Sequence, residues 1–217
     1  MPFEPIIDGD LLPVRPIDNI VAGAGADIDV LIGTNAEEQR LFMIPNGAIG
    51  HINDDILAGT VAAYGLPVAE TIATYRASRS NASAGDLLAA IVTDWFYRIP
   101  AIRLAEAHTQ GSAATYMYQF AYRSPQFDGQ LGACHALELP FVFDTLDIEG
   151  MEGMLGANSP QQTADAMHAA WVAFAKTGNP GWPQYEKGQR TTMRFDTTSA
   201  AVQDPNAAER KLWEGLR

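Results

Sequence analysis

Apolar residues recur at helical spacing between Gln161 and Lys176, with Ala164, Met167, Ala170, Trp171 and Phe174 falling on one face. The pattern stops at Thr177-Gly178-Asn179-Pro180, a Gly/Pro signal that predicts the helix end. Similar patterns predict helices from Asp54 to Tyr64, from Pro67 to Arg79 and from Ala84 to Arg98. The last is expected to break at Pro100 and to resume from Ala101 to His108. A two-residue period marks a different element. Tyr116, Tyr118 and Phe120 alternate within a strand predicted at Thr115 to Ala121. A second strand is expected at Ile28 to Ile32, ended by Gly33-Thr34-Asn35, with Asn35 as a helix N-cap and Glu38 at the capping-box position. A third is predicted at Thr192 to Phe195, before an extended tail and a terminal amphipathic turn around Lys211 to Leu216. The Pro- and Asp-rich opening, Phe3 to Asn19, reads as irregular, and a turn-rich loop, Ser124 to Gly132, precedes a short apolar stretch from Leu137 to Phe143.

Strands separated by long helical segments predict an α/β layer architecture. Three strands are few for so much helix, so the pattern reads as the last strands of a larger sheet with a helix-rich remainder. Composition agrees with a packed domain: of 217 residues, 47% are hydrophobic and only 18% charged, which excludes a solvated coil. Apolar runs are as short as Val30-Leu31-Ile32, so no transmembrane helix and no membrane partner are expected. The N-terminus lacks a basic and an apolar signal region, so it is not read as a signal peptide. A net charge of −12 makes nucleic acid an unsuitable partner, since phosphate binding needs a basic surface. Cys134 is the only cysteine. That rules out an intrachain disulfide and a cysteine metal cluster, and suits a cytoplasmic location.

Two segments carry chemistry. In the first, the strand ending near Gly33 leads into an acidic turn with Glu37 and Glu38. Functional groups of open α/β sheets gather beyond the carboxyl ends of strands, and a carboxylate there can enter that crevice. The plain alternative is that both glutamates only complement a helix dipole. In the second, His135 follows Gly132-Ala133-Cys134 on a loop downstream of the Tyr116–Phe120 strand. Paired with a carboxylate, its imidazole would be oriented and its charged form stabilised, as a general base requires. The plain alternative is a histidine bonded to backbone.

Read as a pair, the segments resemble the type-B carboxylesterase and cholinesterase family, including its bacterial para-nitrobenzyl esterase-like members. Gly33-Thr34-Asn35-Ala36-Glu37-Glu38 is similar to the family's acid motif, with Glu38 at the acid position and Gln39 where the family usually has glycine. His135-Ala136-Leu137-Glu138-Leu139-Pro140-Phe141-Val142-Phe143 is similar to its histidine motif. Pro5 to Pro13, Thr93 to Arg103, Trp171 to Pro183 and Thr192 to Asp196 match in family order. The resemblance implies an α/β-hydrolase fold, of which residues 1–217 are the C-terminal part. It implies a serine, glutamate, histidine triad, with Glu38 and His135 as catalytic residues, Glu138 in support, and neither cofactor nor metal. The substrate implied is a small-molecule carboxylic ester.

No Gly-x-Ser-x-Gly occurs in the 217 residues. The nearest approach, Asn81-Ala82-Ser83-Ala84-Gly85, lacks the first glycine and reads as a loop and helix cap. The expectation is therefore an ester hydrolase's acid- and base-supplying part, inactive alone, whose partner is the missing N-terminal half. A homodimer through an exposed sheet edge is the other association expected. The rival class is a non-catalytic cholinesterase-like adhesion module. Lesser signals read plainly: Gly23-Ala24-Gly25 precedes a strand and is no dinucleotide loop. Cys134 reads as a small buried residue. His51 with Asp54 and Asp55 has no diagnostic metal spacing, and His108 and His168 read as structural. Trp95, Phe96 and Tyr97 are expected as core and gorge wall, Trp171 and Phe174 as core.

Overall fold

The computed structural model describes residues 5–216; Phe3, where the irregular opening was expected to begin, lies outside them. The sheet has four strands: β1 (Val30–Asn35), β2 (Thr115–Phe120), β3 (Thr191–Phe195) and β4 (Ala200–Gln203), in spatial order β1-β2-β3-β4. The first three run parallel, with Val30 opposite Thr115 and Asn35 opposite Phe120, while β3 and β4 pair antiparallel. Parallel strands need covered faces, and helices supply them. On one face pack α3 (Asp54–Ala63), α4 (Val68–Ala77), α5 (Ala84–Thr93) and α6 (Ile99–His108), burying Leu57, Tyr75, Leu87, Ile91, Ile99 and Met117. On the other, α7 (Leu139–Val142) and α9 (Gln161–Thr177) cover Tyr116, Phe120, Phe141, Met167 and Phe195. The alternation along β2 sends Met117 to the first core and its neighbour Tyr116 to the second. Short helices α1 (Pro16–Val21), α2 (Arg40–Met43), α8 (Glu152–Leu155) and α10 (Ala207–Leu212) complete the described elements, with a 3₁₀ turn at Ala48–His51.

The α/β reading holds, with corrections in detail. β1 starts and ends later than expected, because Asn35 stays in the strand opposite Phe120. Asn35 is therefore no N-cap: residues 36–39 turn, and α2 starts only at Arg40, with Gln39 at the N-cap position and no side-chain capping bond. The long helical segment does not break at Pro100. It widens to a π turn over Asp94–Arg98 and continues as α6, where Pro100 sits in the first turn and needs no intrahelical N–H partner. The opening contains α1, and the "extended tail" contains β4 and α10. The Leu137–Phe143 stretch closes into α7.

Gly33 has a steric reason. A Cβ there would strike Tyr118, directly across on β2, whose ring packs edge-on against Trp171 at 4.8 Å. Among the described residues no single helix is long and apolar enough to cross a membrane. The α3–α4 pair passes that test only jointly, bent by 113°, and its Leu57, Val61 and Tyr75 already fill the core.

Candidate active site

β1 and β2 are adjacent and parallel, so the loops leaving their carboxyl ends lie side by side. Glu38 leaves the first and His135 the second. Backbone bonds knit the two loops: Glu37 N–H donates to the Ala133 carbonyl (2.9 Å), and His135 N–H to the Glu38 carbonyl (3.2 Å). Across this seam His135 Nδ1 lies 2.7 Å from Glu38 Oε2. The carboxylate is buried, whereas the His135 side chain is 42% exposed, so the imidazole spans protein and open space. Burial raises the Glu38 carboxyl above its ordinary range, opposed by hydrogen bonds from Asn35 N–H and His135.

Glu37 has a different task. Its carboxylate accepts from Ala133 N–H (3.0 Å), pairs with Arg40 Nε (2.9 Å) and bonds Arg123. It clamps the histidine loop from outside and does not meet the imidazole. Gly132 fits under that clamp because it has φ +63° and no Cβ; a Cβ would run into the Glu37 carboxylate. Gly132→Ala is expected to destabilise the protein by about 1–3 kcal/mol through strain at a left-handed position, measurable by urea denaturation. A variant as stable as the parent would show that the clamp adjusts freely.

Glu138 does not contact His135 directly; its Oε2 accepts from Asn35 Nδ2, which also donates to the Cys134 carbonyl (2.7 Å). Two aromatic rings flank the imidazole, Phe42 and Tyr97, each with its centroid 5.4 Å from that of His135. Phe42 escaped the sequence reading, as did Arg40 and Arg123; an exposed aromatic four residues beyond Glu38 was the available signal. Of the aromatic trio, Tyr97 faces the site, Phe96 is 48% exposed, and Trp95 stacks on Tyr64 at 4.2 Å. Gln39 adopts φ −66°, a conformation open to any residue, so the turn does not depend on the family's glycine. Trp171 and Phe174 are only partly buried against the second core.

The other candidates stay structural. Cys134 is fully buried, and burial pushes its thiol up to about 12, so it remains protonated. His108 bonds Thr115 Oγ1 (2.7 Å) and the Gly25 carbonyl (3.2 Å), and His168 Nδ1 lies 2.9 Å from the Val142 carbonyl. Among the described residues no group of three or more His, Cys, Asp or Glu side chains is placed to hold a metal, His51 with Asp54 and Asp55 included.

A family model described as "Carboxylesterase family" matches residues 1–213. The chain belongs to the carboxylesterase family. Its relatives include the para-nitrobenzyl esterase of Bacillus subtilis, 34% identical over 217 residues, covering 96% of this chain and 42% of that protein. Phenmedipham hydrolase of Pseudarthrobacter oxydans is 27% identical, covering 95% of this chain and 41% of its own length. Among solved structures, a carboxylesterase of Geobacillus stearothermophilus superposes with a TM-score of 0.84 at 30% identity, covering 97% of this chain and 45% of the other. The fold is thus that of the C-terminal portion of these α/β-hydrolases. The chain spans less than half the length of the carboxylesterases it matches.

Proposed function

We propose that this chain supplies the acid and the base of a serine carboxylesterase acting on small-molecule carboxylic esters. The observation that carries the proposal is the 2.7 Å contact between buried Glu38 and part-exposed His135, at the carboxyl ends of adjacent parallel strands. With Nδ1–H held by the carboxylate, Nε2 faces the nucleophile. A serine hydroxyl delivers its proton to Nε2 as its oxygen attacks the ester carbonyl; the imidazolium then protonates the departing alcohol. Water attacks the acyl-serine in the same way, releasing the acid and returning the proton to serine. Glu38 keeps the tautomer and stabilises the imidazolium throughout. No step calls for a metal or cofactor. The rival reading is a non-catalytic cholinesterase-like adhesion module. The retained carboxylate–imidazole pair favours the hydrolase.

The nucleophile belongs to a segment carrying Gly-x-Ser-x-Gly, which is the partner proposed for this chain. The isolated chain is expected not to turn over p-nitrophenyl esters above a His-only background, and fusion or co-expression with such a segment to restore hydrolysis. Restoration that survives loss of the added serine would defeat the proposal. β1 forms one edge of the sheet, and an unpaired edge templates pairing. Alone at micromolar concentration the chain is therefore expected to sediment as a dimer or larger species. A sharply melting monomer would show that the edge protects itself.

A further inference from the structure

Asn35 bonds both loops of the Glu38–His135 arrangement while facing little solvent: it is 2% exposed. Its backbone N–H donates to Glu38 Oε1 at 2.7 Å, fixing the oxygen that does not face the imidazole. Its side-chain amide donates to the carbonyl of Cys134, the residue before His135, at 2.7 Å. The second amide hydrogen goes to Glu138 Oε2. The bonds close a circuit that runs from Asn35 to the Glu38 carboxylate, to the imidazole, along the backbone to Cys134, and back to Asn35.

We propose that Asn35 is a positioning residue, holding the acid loop and the histidine loop in one register so that Nδ1–H meets Glu38, with Glu138 as its brace. The proposal rests on the reading of Glu38 and His135 as acid and base. The chemistry selects asparagine. Both side-chain partners are acceptors, a carbonyl and a carboxylate, so the group between them must offer two N–H donors and no charge. Aspartate would set three carboxylates together, and serine offers a single donor. Glu138 is then explained without any contact to the imidazole: it fixes the amide that fixes the Cys134 carbonyl. This also accounts for Asn35 ending a strand and not capping a helix, since its side chain is already engaged across the loops.

The test is proton NMR of the whole 217-residue chain, following the far-downfield Nδ1–H signal of His135. The indole N–H of Trp213, which donates to Tyr75 Oη at 2.9 Å in the opposite core, reports folding independently. Glu38→Gln is expected to abolish the Nδ1–H signal, and Asn35→Ala to lose it with the Trp213 resonance unchanged. Asn35→Ser, which keeps one donor and is the fallback should the alanine variant unfold, is expected to exchange that proton about tenfold faster, the factor one lost hydrogen bond makes in an opening equilibrium. If the parent chain shows the signal and a folded Asn35→Ala or Asn35→Ser variant keeps it at unchanged exchange, the positioning role is overturned. A parent chain without the signal would overturn the acid–base reading itself.

Discussion

In an enzyme completed with its nucleophile, Glu38→Gln is expected to lower kcat by about 10⁴-fold, the loss seen when the orienting acid of a serine-protease triad becomes an amide. The reason lies in the 2.7 Å contact with His135 Nδ1. An amide there can offer its N–H to the imidazole and reverse the tautomer, leaving Nε2 protonated and unable to accept from serine. Glu37→Gln is expected to cost far less activity, although the two residues are adjacent. Its carboxylate is taken up by Arg40, Arg123 and Ala133 N–H, so the amide loosens a clamp and leaves the imidazole paired. Initial-rate kinetics on p-nitrophenyl acetate, with both variants checked for folding, separate the cases. Losses of the same size at the two positions would remove the ground for assigning the acid to Glu38 over Glu37.

The contrast between Glu37 and Glu38 marks the limit of what periodicity and spacing reveal. Two neighbouring glutamates after a strand have the same local statistics, and only the resemblance to a family motif selected the second. The structure adds the reason, since Arg123 and the Ala133 N–H, far downstream in the chain, bind the first. Long helices were legible because one apolar face repeats over several turns, as in α9. β4 was not, because Ala200–Gln203 is short, mostly small and exposed, and gains its strand form from pairing with β3. α1 did carry a usable signal, Pro16 at its first position. The π turn carried none that a proline rule could read: widening over Asp94–Arg98 let the chain pass Pro100 still helical.

That π turn holds the second large effect expected, which concerns stability. Asp94 and Arg98 are 3% and 5% exposed, and Arg98 grips the carboxylate with two bonds of 2.6 Å. Tyr75 also donates to Asp94, and Trp213 donates to Tyr75. Burial and the Asp94 charge both push the Tyr75 hydroxyl far up, keeping it a donor. Burial works against the Arg98 charge, but Asp94 more than offsets it, so the guanidinium stays ionised. Glu209 of α10, 3.8 Å from Arg98 and 2.5 Å from Arg79, ties the C-terminal helix to the same cluster.

Asp94→Ala would strip the buried Arg98 of its two 2.6 Å bonds and leave Glu209, at 3.8 Å, as its charged partner; it is expected to cost about 3–5 kcal/mol, lowering Tm by on the order of 10 °C for a chain of this size. Asp94→Leu combined with Arg98→Met removes both charges and should recover much of that loss, because apolar replacements of buried pairs are often close to neutral. The recovery distinguishes stranded charge from simple loss of packing. Thermal melts followed by intrinsic tryptophan fluorescence measure both. A double variant no better than Asp94→Ala would show that the two bonds of the pair themselves hold α4, the π turn and α10 together, and that stranded charge is a minor part of the cost.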